Sequence, residues 1–504
     1  MIRDTARFHK NHQYDVLIIG GGINGAAIAY LASVTGAKVA LLEKDDFASG
    51  ASSKSTKLLH GGIRYLENFE FDLVAESLKE RFIQYKNAPH LVKILTFIIP
   101  VYKKDHRPLW MMKLGVWLYD FLSGNYSMGE HQYINPAQLI SMVPQIRQQG
   151  LVGAVSYCDA QMNDARMCLE NILMADSKGA HVANHVEVID FLKDNGTCRG
   201  AVAKDVLTGG IFEVKAKTTI VTVGPWADIL LHKDSVKNPS RLRSTKGVHV
   251  LYRGQICEKA FLLQSSSDKR IFFVIPFRGH SLIGTTDTDY EGSPDGVKAQ
   301  PNDVDYLLKE ASRVFPEVVF KKENIITIFA GVRPLVHEQG SPSKISRKHS
   351  IEKTFSGIWY VLGGKYTTYR AIAKECVQKI LPTWSHKLPA DVDYPLYGSG
   401  QVSTDIKQTA LRFGLGTEVV SYLMDFYGSR YEDVLKLIDG DSSLRVKLCD
   451  CSLAIRAQVA YACKVEMART FDDVYIRRLQ LQYNDCSSGG CRESIEDVLK
   501  TYAV

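Results

Sequence analysis

The chain has 504 residues, of which 45% are apolar and 23% are charged, values ordinary for a globular protein with a large core. This length predicts two or three domains. The net charge of +7 is modest for so long a chain, and a solvated basic face, an anionic substrate, a membrane surface or RNA would each explain it. The N-terminal segment lacks the apolar core of a secretory signal, and no run of about 18 apolar residues predicts a transmembrane helix.

Ten cysteines are spread irregularly along the chain, and five of them come late. No pair has the C-x-x-C spacing that is typical of a zinc site. We therefore expect reduced, structural thiols without a bound metal. Together with the missing secretory signal, this cysteine usage predicts a cytosolic location.

A dinucleotide-binding signature lies near the start of the chain. The apolar run VLII is typical of a strand buried on both faces. Gly20, Gly22 and Gly25 follow it as G-x-G-x-x-G and lead into a helix of small residues. Such glycines permit a tight turn and a close approach to a pyrophosphate at the helix N-terminus. A second apolar run ends at Glu43, which is placed to bind ribose hydroxyls, so the whole unit predicts a dinucleotide site.

The segment that follows Glu43, DDFASGASSKSTKLLHGG, favours FAD over NAD. A simple NAD-binding domain would continue there with another helix and strand, whereas this polar loop can follow an extended cofactor. Two later apolar strands also end in glycine turns, at residues 224–226 and 363–365. Three such turns far apart in the sequence fit one long cofactor that is held along its whole length.

The segment KKDHRPLWMMKLGVWLYDFL (103–122) predicts a helix that begins at Pro108 and is apolar nearly all round. Lys103, Lys104 and Arg107 precede it. One interpretation is a buried helix of a second domain. The other is an apolar surface that enters a lipid interface, with the basic residues near anionic headgroups.

Farther along the chain, the sequence predicts antiparallel strands. Residues 270–277 and 281–286 are β-rich runs about a short Arg-Gly-His turn, which predicts a hairpin. The run IITIFAGVRP predicts another strand that ends at Arg333. The segment 381–400 holds three prolines and two glycines and is predicted to be a linker.

From residue 401 onward the pattern is helical. Val419, Leu423 and Phe426 share one helical face, together with Tyr427. Thr470 with an acid three residues later is a capping-box signal. The last part of the chain is therefore predicted to be a helical domain.

The segments GGGINGAAIA, KLLHGGIRYLE, RIFFVIPF, IGTTD, GVRPL and GGKYTTYR occur together and in this order. As a set they resemble the FAD-dependent, quinone-linked glycerol-3-phosphate dehydrogenases of respiration. The resemblance is close over about residues 14–375 and looser through the helical region that follows. It implies that sn-glycerol 3-phosphate is oxidised to dihydroxyacetone phosphate, with electrons passing through FAD to ubiquinone.

The resemblance also implies an α/β fold. A Rossmann-like FAD-binding domain would be interleaved with an antiparallel β substrate domain within residues 1–380, and a C-terminal helical cap would follow. The expected FAD-binding segments are about 14–90, 150–245 and 340–380, the substrate segments about 91–149 and 246–339, the linker 381–400 and the helical domain 401–504.

Binding the dianion of a glycerol phosphate requires fixed cations. Arg64 and Arg333 supply planar forks that can each hold two phosphate oxygens, and Lys365 supplies a point charge. In the family the matching residues line the substrate pocket over the flavin ring, with Tyr65 nearby. The structural alternative is that Arg64 caps a helix beginning near Tyr65 and pairs with Glu67.

Oxidation of a secondary alcohol also requires a base for the hydroxyl proton. His60 is the preferred candidate because of its place in KLLHGG, and His249 is the second. Lys365 or Arg333 could stabilise the reduced flavin. Thr286 is a further candidate for substrate binding, or it satisfies its own turn. The expected FAD-binding residues are Gly20, Gly22, Asn24, Gly25, Glu43, Ser52, Ser53, Lys57 (a cofactor-loop or surface lysine), Leu59, Gly61, Gly224, Trp226, Gly364 and Thr367.

The resemblance implies glycerol 3-phosphate and a quinone as partners, and peripheral attachment to the cytoplasmic face of the inner membrane. It implies no nucleic acid, and a homodimer is left open. An oxidase that passes electrons to O₂ is the nearest alternative, although the insertion typical of soluble oxidases near GVRPL is absent.

Two further alternatives are weaker. A tRNA-modifying flavoprotein fits the basic balance, but the sequence has no Lys/Arg stripe with interleaved aromatics. A protein that only binds FAD is disfavoured by the cations and His60. The chain departs from the family at Thr222 and Val223, where Asn and Ala are common, which leaves the detail of that turn open. It has no EF-hand loop, so calcium control is not expected.

Overall fold

The computed structural model describes residues 1, 3–9, 13–236, 238–336, 349–391, 394–402, 405–486 and 490–503. The strands are β1 (Gln13–Ile19), β2 (Val39–Leu42), β3 (Leu58–Leu59), β4 (Val92–Tyr102), β5 (Gln132–Ile134), β6 (Leu151–Met162), β7 (His181–Ala183), β8 (Val186–Asp194), β9 (Thr197–Asp205), β10 (Ile211–Val221), β11 (Leu242–Tyr252), β12 (Ala260–Gln264), β13 (Ile271–Phe277), β14 (His280–Gly284), β15 (Thr288–Asp289), β16 (Ile325–Val336), β17 (His349–Lys353) and β18 (Trp359–Gly363).

The α-helices are α1 (Ala6–His9), α2 (Ile23–Val34), α3 (Phe71–Asn87), α4 (Leu109–Ser123), α5 (Pro136–Met142), α6 (Asp164–Ser177), α7 (Ala227–Asp234), α8 (Pro301–Val314), α9 (Tyr369–Ile380), α10 (Pro382–Ser385), α11 (Ile406–Phe413), α12 (Thr417–Tyr427), α13 (Tyr431–Leu435), α14 (Leu437–Gly440), α15 (Arg456–Glu466) and α16 (Cys491–Tyr502). Short 3₁₀ turns connect several of them, among them Ile63–Asn68.

The first sheet has the order β17-β18-β10-β1-β2-β7 and carries the β8–β9 hairpin on β10. Strands β18, β10, β1, β2 and β7 are parallel, so their carboxyl ends lie at one edge. Val16 and Ile18 pack with helices α2, α6 and α9, whereas Leu17 and Ile19 pack in the core on the opposite face. Burial on both faces explains why residues 16–19 of this strand are all apolar.

The second sheet has the order β15-β11-β14-β13-β12-β4-β6-β3, with β16 paired to β11 and β5 to β6. Apart from the parallel β4–β12 pair, its ladders are antiparallel. The predicted hairpin is β13–β14. Strand β16 continues past Arg333 to Val336 because it pairs with β11 over that length. Two sheets followed by helices give the expected α/β class with a helical C-terminal region.

One segment boundary differs from the expectation. Residues 151–162 were expected with the FAD-binding segments, but they form β6 and pair with β4 from Val92 to Tyr102. They belong to the second sheet because they pair along their length with β4, and in part with β3 and β5. Residues 340–348 of the third expected segment lie outside the described part of the chain.

Buried ion pairs fasten the helical region to the first sheet. The carboxylate of Asp46, in the loop after β2, accepts hydrogen bonds from Arg478 at 2.6 and 2.7 Å and from Arg477 at 2.5 Å. On α6, Arg166 donates to Glu466 at 2.6 Å. These groups are almost fully buried, and each charge has its partner, which is the condition under which a buried charge is tolerated.

Candidate active site

A cavity of about 470 Å³ lies between the carboxyl edge of the first sheet and one face of the second. Its volume is within the range of about 300–1,000 Å³ that is typical of ligand sites. Of the residues singled out from sequence, those that line it are Gly20, Gly22, Asn24, Glu43, Ser52, His60, Arg64, Tyr65, Gly224, Trp226, His249, Arg333, Gly364, Lys365 and Thr367. The three glycine turns therefore meet at one site, because β1, β10 and β18 end at the same edge.

The turn after β1 is built for close backbone approach. Gly20 has φ +107°, and a Cβ there would stand 2.9 Å from the backbone of Thr222. A Cβ at Gly25 would overlap the carbonyl oxygen of Gly20. The hydroxyl of Thr222 donates to the carbonyls of Ile19 and Gly20 at 3.0 Å each. Thr222, which departs from the family pattern, thus ties the end of β10 to this turn.

Glu43 closes the same end of the cavity. Its carboxylate accepts the backbone N–H of Gly21 at 2.6 Å and that of Asp45 at 2.9 Å. Burial raises the pKa of Glu43 to about 7, although these two N–H groups oppose the rise. Each carboxylate oxygen retains a free lone pair, so Glu43 can still accept a ribose hydroxyl.

The N-terminus of α2 faces this end of the cavity. Gly22 is its N-cap and supplies no side-chain cap, while Ser52 accepts the backbone N–H of Ile23 at 2.9 Å. A helix start of this kind, between glycines, fits a pyrophosphate, and the acid beside it fits the hydroxyls of the neighbouring ribose. The residues present therefore fit a long dinucleotide whose other end reaches the second sheet.

Some expected cofactor contacts lie outside the cavity lining: Gly25, Ser53, Lys57, Leu59 and Gly61. Lys57 is neither a surface lysine nor a cavity residue. Its Nζ is buried and donates to both carboxylate oxygens of Asp164 at 2.8 Å and to the carbonyl of Ser53 at 2.6 Å. A Cβ at Gly61 would overlap the hydroxyl of Tyr119, and Leu59 packs in the core. These residues pack on the side of the loop that faces away from the cavity and support its conformation.

Two cations face Tyr65 at the opposite end. The Nζ of Lys365 is 3.8 Å from the centre of the Tyr65 ring and 3.3 Å from Ser77 Oγ. The guanidinium carbon of Arg64 is 5.8 Å from the same ring. Gly62, at φ +80°, permits this arrangement because a Cβ there would overlap the ring. Arg64 lines the cavity, and the carboxylate of Glu67 pairs with Arg107.

Arg333 reaches the cavity from β16. Its guanidinium donates to Asp287 Oδ1 at 2.9 Å, to Thr285 Oγ1 at 2.7 Å and to the carbonyl of Thr286 at 3.2 Å. Gly247, on the neighbouring strand β11, leaves room for it, since a Cβ there would overlap Nη2. The fork is thus held in a fixed orientation before any ligand binds.

The position of Thr286 differs from the expectation. Its hydroxyl accepts the backbone N–H of Val248 at 3.0 Å, and its side chain does not line the cavity. Thr285 and Asp287 line it instead, and so do Lys54 and Arg270. Sequence reasoning missed these four. The alternation of side chains along IGTTD would have indicated that Thr285 and Asp287 share a face.

The two histidines differ in environment. His249 is buried, stacks on Phe329 with ring centres 4.9 Å apart, and its Nε2 lies 3.0 Å from Thr56 Oγ1. Burial, aided by the positive charges of Arg333 and Lys57, holds the pKa of His249 well below its ordinary value, so it is neutral at pH 7. Its Nδ1 has no hydrogen-bond partner among the described residues.

His60 is half-buried in the cavity wall. Its backbone N–H donates to the hydroxyl of Thr367 at 3.2 Å, and that hydroxyl lies 3.2 Å from the carbonyl of His60. Thr367 therefore joins the turn after β18 to the loop that carries His60. His60 thus lies between its own glycines, Gly61 and Gly62, and the glycine turn that follows β18.

A separate surface is formed by α4. Trp110 and Phe121 are 65% and 68% exposed, and Met111, Leu114 and Trp117 on the same helix are also exposed. The opposite side of α4 buries Tyr119, whose hydroxyl donates to Asp159 at 2.8 Å. The interpretation of a wholly buried helix is therefore wrong. Among the described residues, none of the helices combines the length and apolar character needed to cross a bilayer.

The family described as FAD dependent oxidoreductase matches residues 15–378, and the C-terminal domain of alpha-glycerophosphate oxidase matches residues 392–503. A Synechocystis protein named glycerol-3-phosphate dehydrogenase is 36% identical over 500 residues, covering 93% of this chain and 89% of the relative. The chain belongs to the glycerol-3-phosphate dehydrogenase family of FAD-dependent oxidoreductases.

Other members of the glycerol-3-phosphate dehydrogenase family agree. The aerobic glycerol-3-phosphate dehydrogenase of Staphylococcus haemolyticus is 34% identical over 492 residues, covering 93% of this chain and 87% of the relative. The glycerol-3-phosphate dehydrogenase of Bacillus halodurans, solved in complex with FAD, has a TM-score of 0.79 at 28% identity, with 99% and 97% of the two chains covered. The expectations of this family, of FAD as the cofactor and of the α/β fold with a C-terminal helical domain are confirmed.

Proposed function

We propose that this chain oxidises sn-glycerol 3-phosphate to dihydroxyacetone phosphate. The observation that carries the proposal is the convergence of Arg64, Arg333 and Lys365 on one cavity with His60 and His249. These residues come from four remote segments, and together they supply what a small phosphorylated alcohol needs: cations for the phosphate and an acceptor for the hydroxyl proton. The names of the relatives, which are glycerol-3-phosphate dehydrogenases, support the same substrate.

FAD supplies the two-electron acceptor of the reaction. The chain's own residues then have separable roles in our proposal. Arg333 places its positive charge beside the phosphate, while Asp287, Thr285 and the carbonyl of Thr286 hold both of its Nη atoms in place. Arg64 and Lys365, both close to the Tyr65 ring, add further positive charge to the pocket.

The two histidines are assigned by their surroundings. Because burial and two cations disfavour the protonated form of His249, it is a poor proton acceptor and serves as a neutral hydrogen-bond acceptor for the hydroxyl. His60 is half-buried, so a proton taken up there can pass on to solvent. We therefore propose His60 as the base.

The substrate assignment is tested with the purified holoenzyme. Glycerol 3-phosphate should reduce the flavin under anaerobic conditions, whereas glycerol, which lacks the phosphate, should reduce it far more slowly. Equal rates with the two alcohols would contradict a phosphate-binding role for the cations.

We further propose that electrons pass to a quinone and that α4 is the surface that contacts the membrane. Its exposed Trp110, Trp117 and Phe121 are the apolar and aromatic types that enter a lipid interface. Lys103 and Lys104 precede the helix and are exposed, where anionic headgroups would attract them.

Vesicle binding tests this surface. Wild-type protein should float with vesicles of phosphatidylglycerol and phosphatidylcholine, and Trp117→Glu with Phe121→Glu should abolish flotation while anaerobic flavin reduction stays unchanged. Phe355→Glu is the matched control, because Phe355 is fully exposed elsewhere in the protein. Flotation of the double variant would place membrane contact on another surface.

The oxidase alternative uses the same flavin and phosphate residues, so geometry does not separate the two. Parallel assays of hydrogen peroxide formation and quinone reduction do. Our proposal predicts faster turnover with a short-chain quinone than with O₂. Stoichiometric peroxide with no quinone reduction would make the chain an oxidase.

A further inference from the structure

Four cysteine side chains meet at one place in the helical region. The Sγ atoms of Cys449, Cys486 and Cys491 all lie within 4.8 Å of one another. The Sγ of Cys451 is 2.9 Å from that of Cys449 and lies within hydrogen-bonding reach of Cys486. The two pairs are far apart in the sequence, so the fold, and not chain proximity, gathers them.

The spacing of one of the two pairs suits a metal ion, although no C-x-x-C is present. Cys486 and Cys491 are separated by four residues, Ser-Ser-Gly-Gly, which is within the C-x₂₋₄-C range of structural zinc sites. Cys449 and Cys451 stand two apart in the turn before α15. The backbone N–H of Cys451 donates to the sulfur of Cys449, a contact that stabilises charge on a ligand.

We propose that Cys449, Cys451, Cys486 and Cys491 form a tetrathiolate site for one zinc ion. Zinc is bound tetrahedrally with Zn–S distances of about 2.3 Å, which puts sulfur atoms about 3.8 Å apart. The sulfur atoms of Cys449, Cys486 and Cys491, which all lie within 4.8 Å of one another, approach this spacing, and the 2.9 Å between Cys449 and Cys451 would widen by about 0.9 Å on binding. An iron–sulfur cluster with two irons would hold its two cysteine pairs farther from each other.

A second group of side chains of metal-binding type lies elsewhere in the protein, but arginines balance its negative charge. Asp46, His185 and Asp473 also lie within 4.8 Å of one another. There, Arg477 donates to both carboxylates and Arg478 to Asp46, so arginines supply the positive charge. Among the described residues, no arginine or lysine makes such a contact with Cys449, Cys451 or Cys491.

The location gives the site a structural role. Cys449 and Cys451 lie between Ser442–Arg445 and α15, Cys486 follows Leu481–Tyr483, and Cys491 is the first residue of α16. Helix α16 packs on α15 through Ile495 and Val498, which are buried. A zinc ion would join the turn before α15 to the start of α16 and so fix the last helix, as in small metal-stabilised domains.

Metal analysis of the holoenzyme, purified without a histidine tag and under reductant, tests the proposal. We expect one zinc per chain by plasma mass spectrometry and four sulfur neighbours at about 2.3 Å in the zinc X-ray absorption fine structure. Cys486→Ser with Cys491→Ser should lose the zinc and keep FAD. Cys257→Ser is the matched control, since Cys257 is half-buried outside the cluster and should leave the zinc content unchanged.

A second measurement covers the case in which the double variant does not fold. In wild-type protein, alkylation with and without prior zinc removal should show four cysteines that become reactive only after removal. Wild-type protein that stays zinc-free after incubation with zinc, zinc retained by the double variant, iron with inorganic sulfide, or two disulfides in the reduced preparation would each overturn the proposal.

Discussion

The role of Arg333 can be tested with a quantitative expectation. Its side chain is mostly buried in the cavity wall, where Asp287, Thr285 and the carbonyl of Thr286 hold the guanidinium in place. A hydrogen bond to a charged group contributes about 1.5–3 kcal/mol. Because both Nη atoms already donate to Asp287, Thr285 and the carbonyl of Thr286, we expect one further bond to a phosphate oxygen, and the upper end of that range gives about 3 kcal/mol, or roughly a hundredfold in kcat/KM.

The assay is steady-state reduction of an artificial acceptor by glycerol 3-phosphate. Arg333→Ala should lower kcat/KM about a hundredfold, mainly through KM, and leave bound FAD in place. Arg333→Lys should fall between, since it keeps the charge but loses the fork. Arg243→Ala, which breaks a comparable but exposed pair with Asp289, is the control and should have little effect. Loss of FAD, or an unchanged KM, would refute the phosphate role.

The other predictions concern the histidines, a glycine and an ion pair. His60→Asn should lower kcat by about 10²–10⁴ and His249→Asn by much less, and the reverse order would exchange their roles. Because the fold keeps His249 neutral, the free energy of unfolding should be constant above about pH 6.5 and should decline below it by up to about 1.4 kcal/mol per pH unit. In urea unfolding, His249→Asn should reduce this decline, and an unchanged slope would contradict the prediction. Gly62→Ala and the control Gly254→Ala each place a side chain on a residue with positive φ, and each should destabilise the protein by about 1–2 kcal/mol. Only Gly62→Ala should raise KM, because a Cβ at Gly254 meets nothing within 4 Å. Arg478→Ala should cost about 3–5 kcal/mol of unfolding free energy, and a loss below 1 kcal/mol would show that Asp46 does not depend on it.

Sequence reasoning identified the nucleotide end of the site because its signals are local. Gly20, Gly22 and Glu43 belong to one strand–helix–strand unit, and each residue type has one physical reason for its place. The cations at the other end could be named only through the family resemblance. Nothing in the spacing of Arg64 and Arg333 shows that β16 brings them to the same cavity.

The failures have a common cause, namely contacts between distant residues. The burial of Lys57 depends on its ion pair with Asp164, which lies 107 residues farther along the chain. The polar sequence around Lys57 does not indicate that partner. Thr286 was selected over Thr285 because the strand register that sets which one faces the cavity comes from tertiary pairing. The cysteine cluster was overlooked for the same reason, since its two pairs meet only after the helices pack.

The most direct test of the central claim is an anaerobic titration of the purified protein with glycerol 3-phosphate, followed by the visible absorption of the flavin. We predict one FAD per chain and full bleaching of its absorption, with the bleaching shifted to much higher substrate concentration in Arg333→Ala. A flavin that glycerol 3-phosphate leaves oxidised would contradict the account.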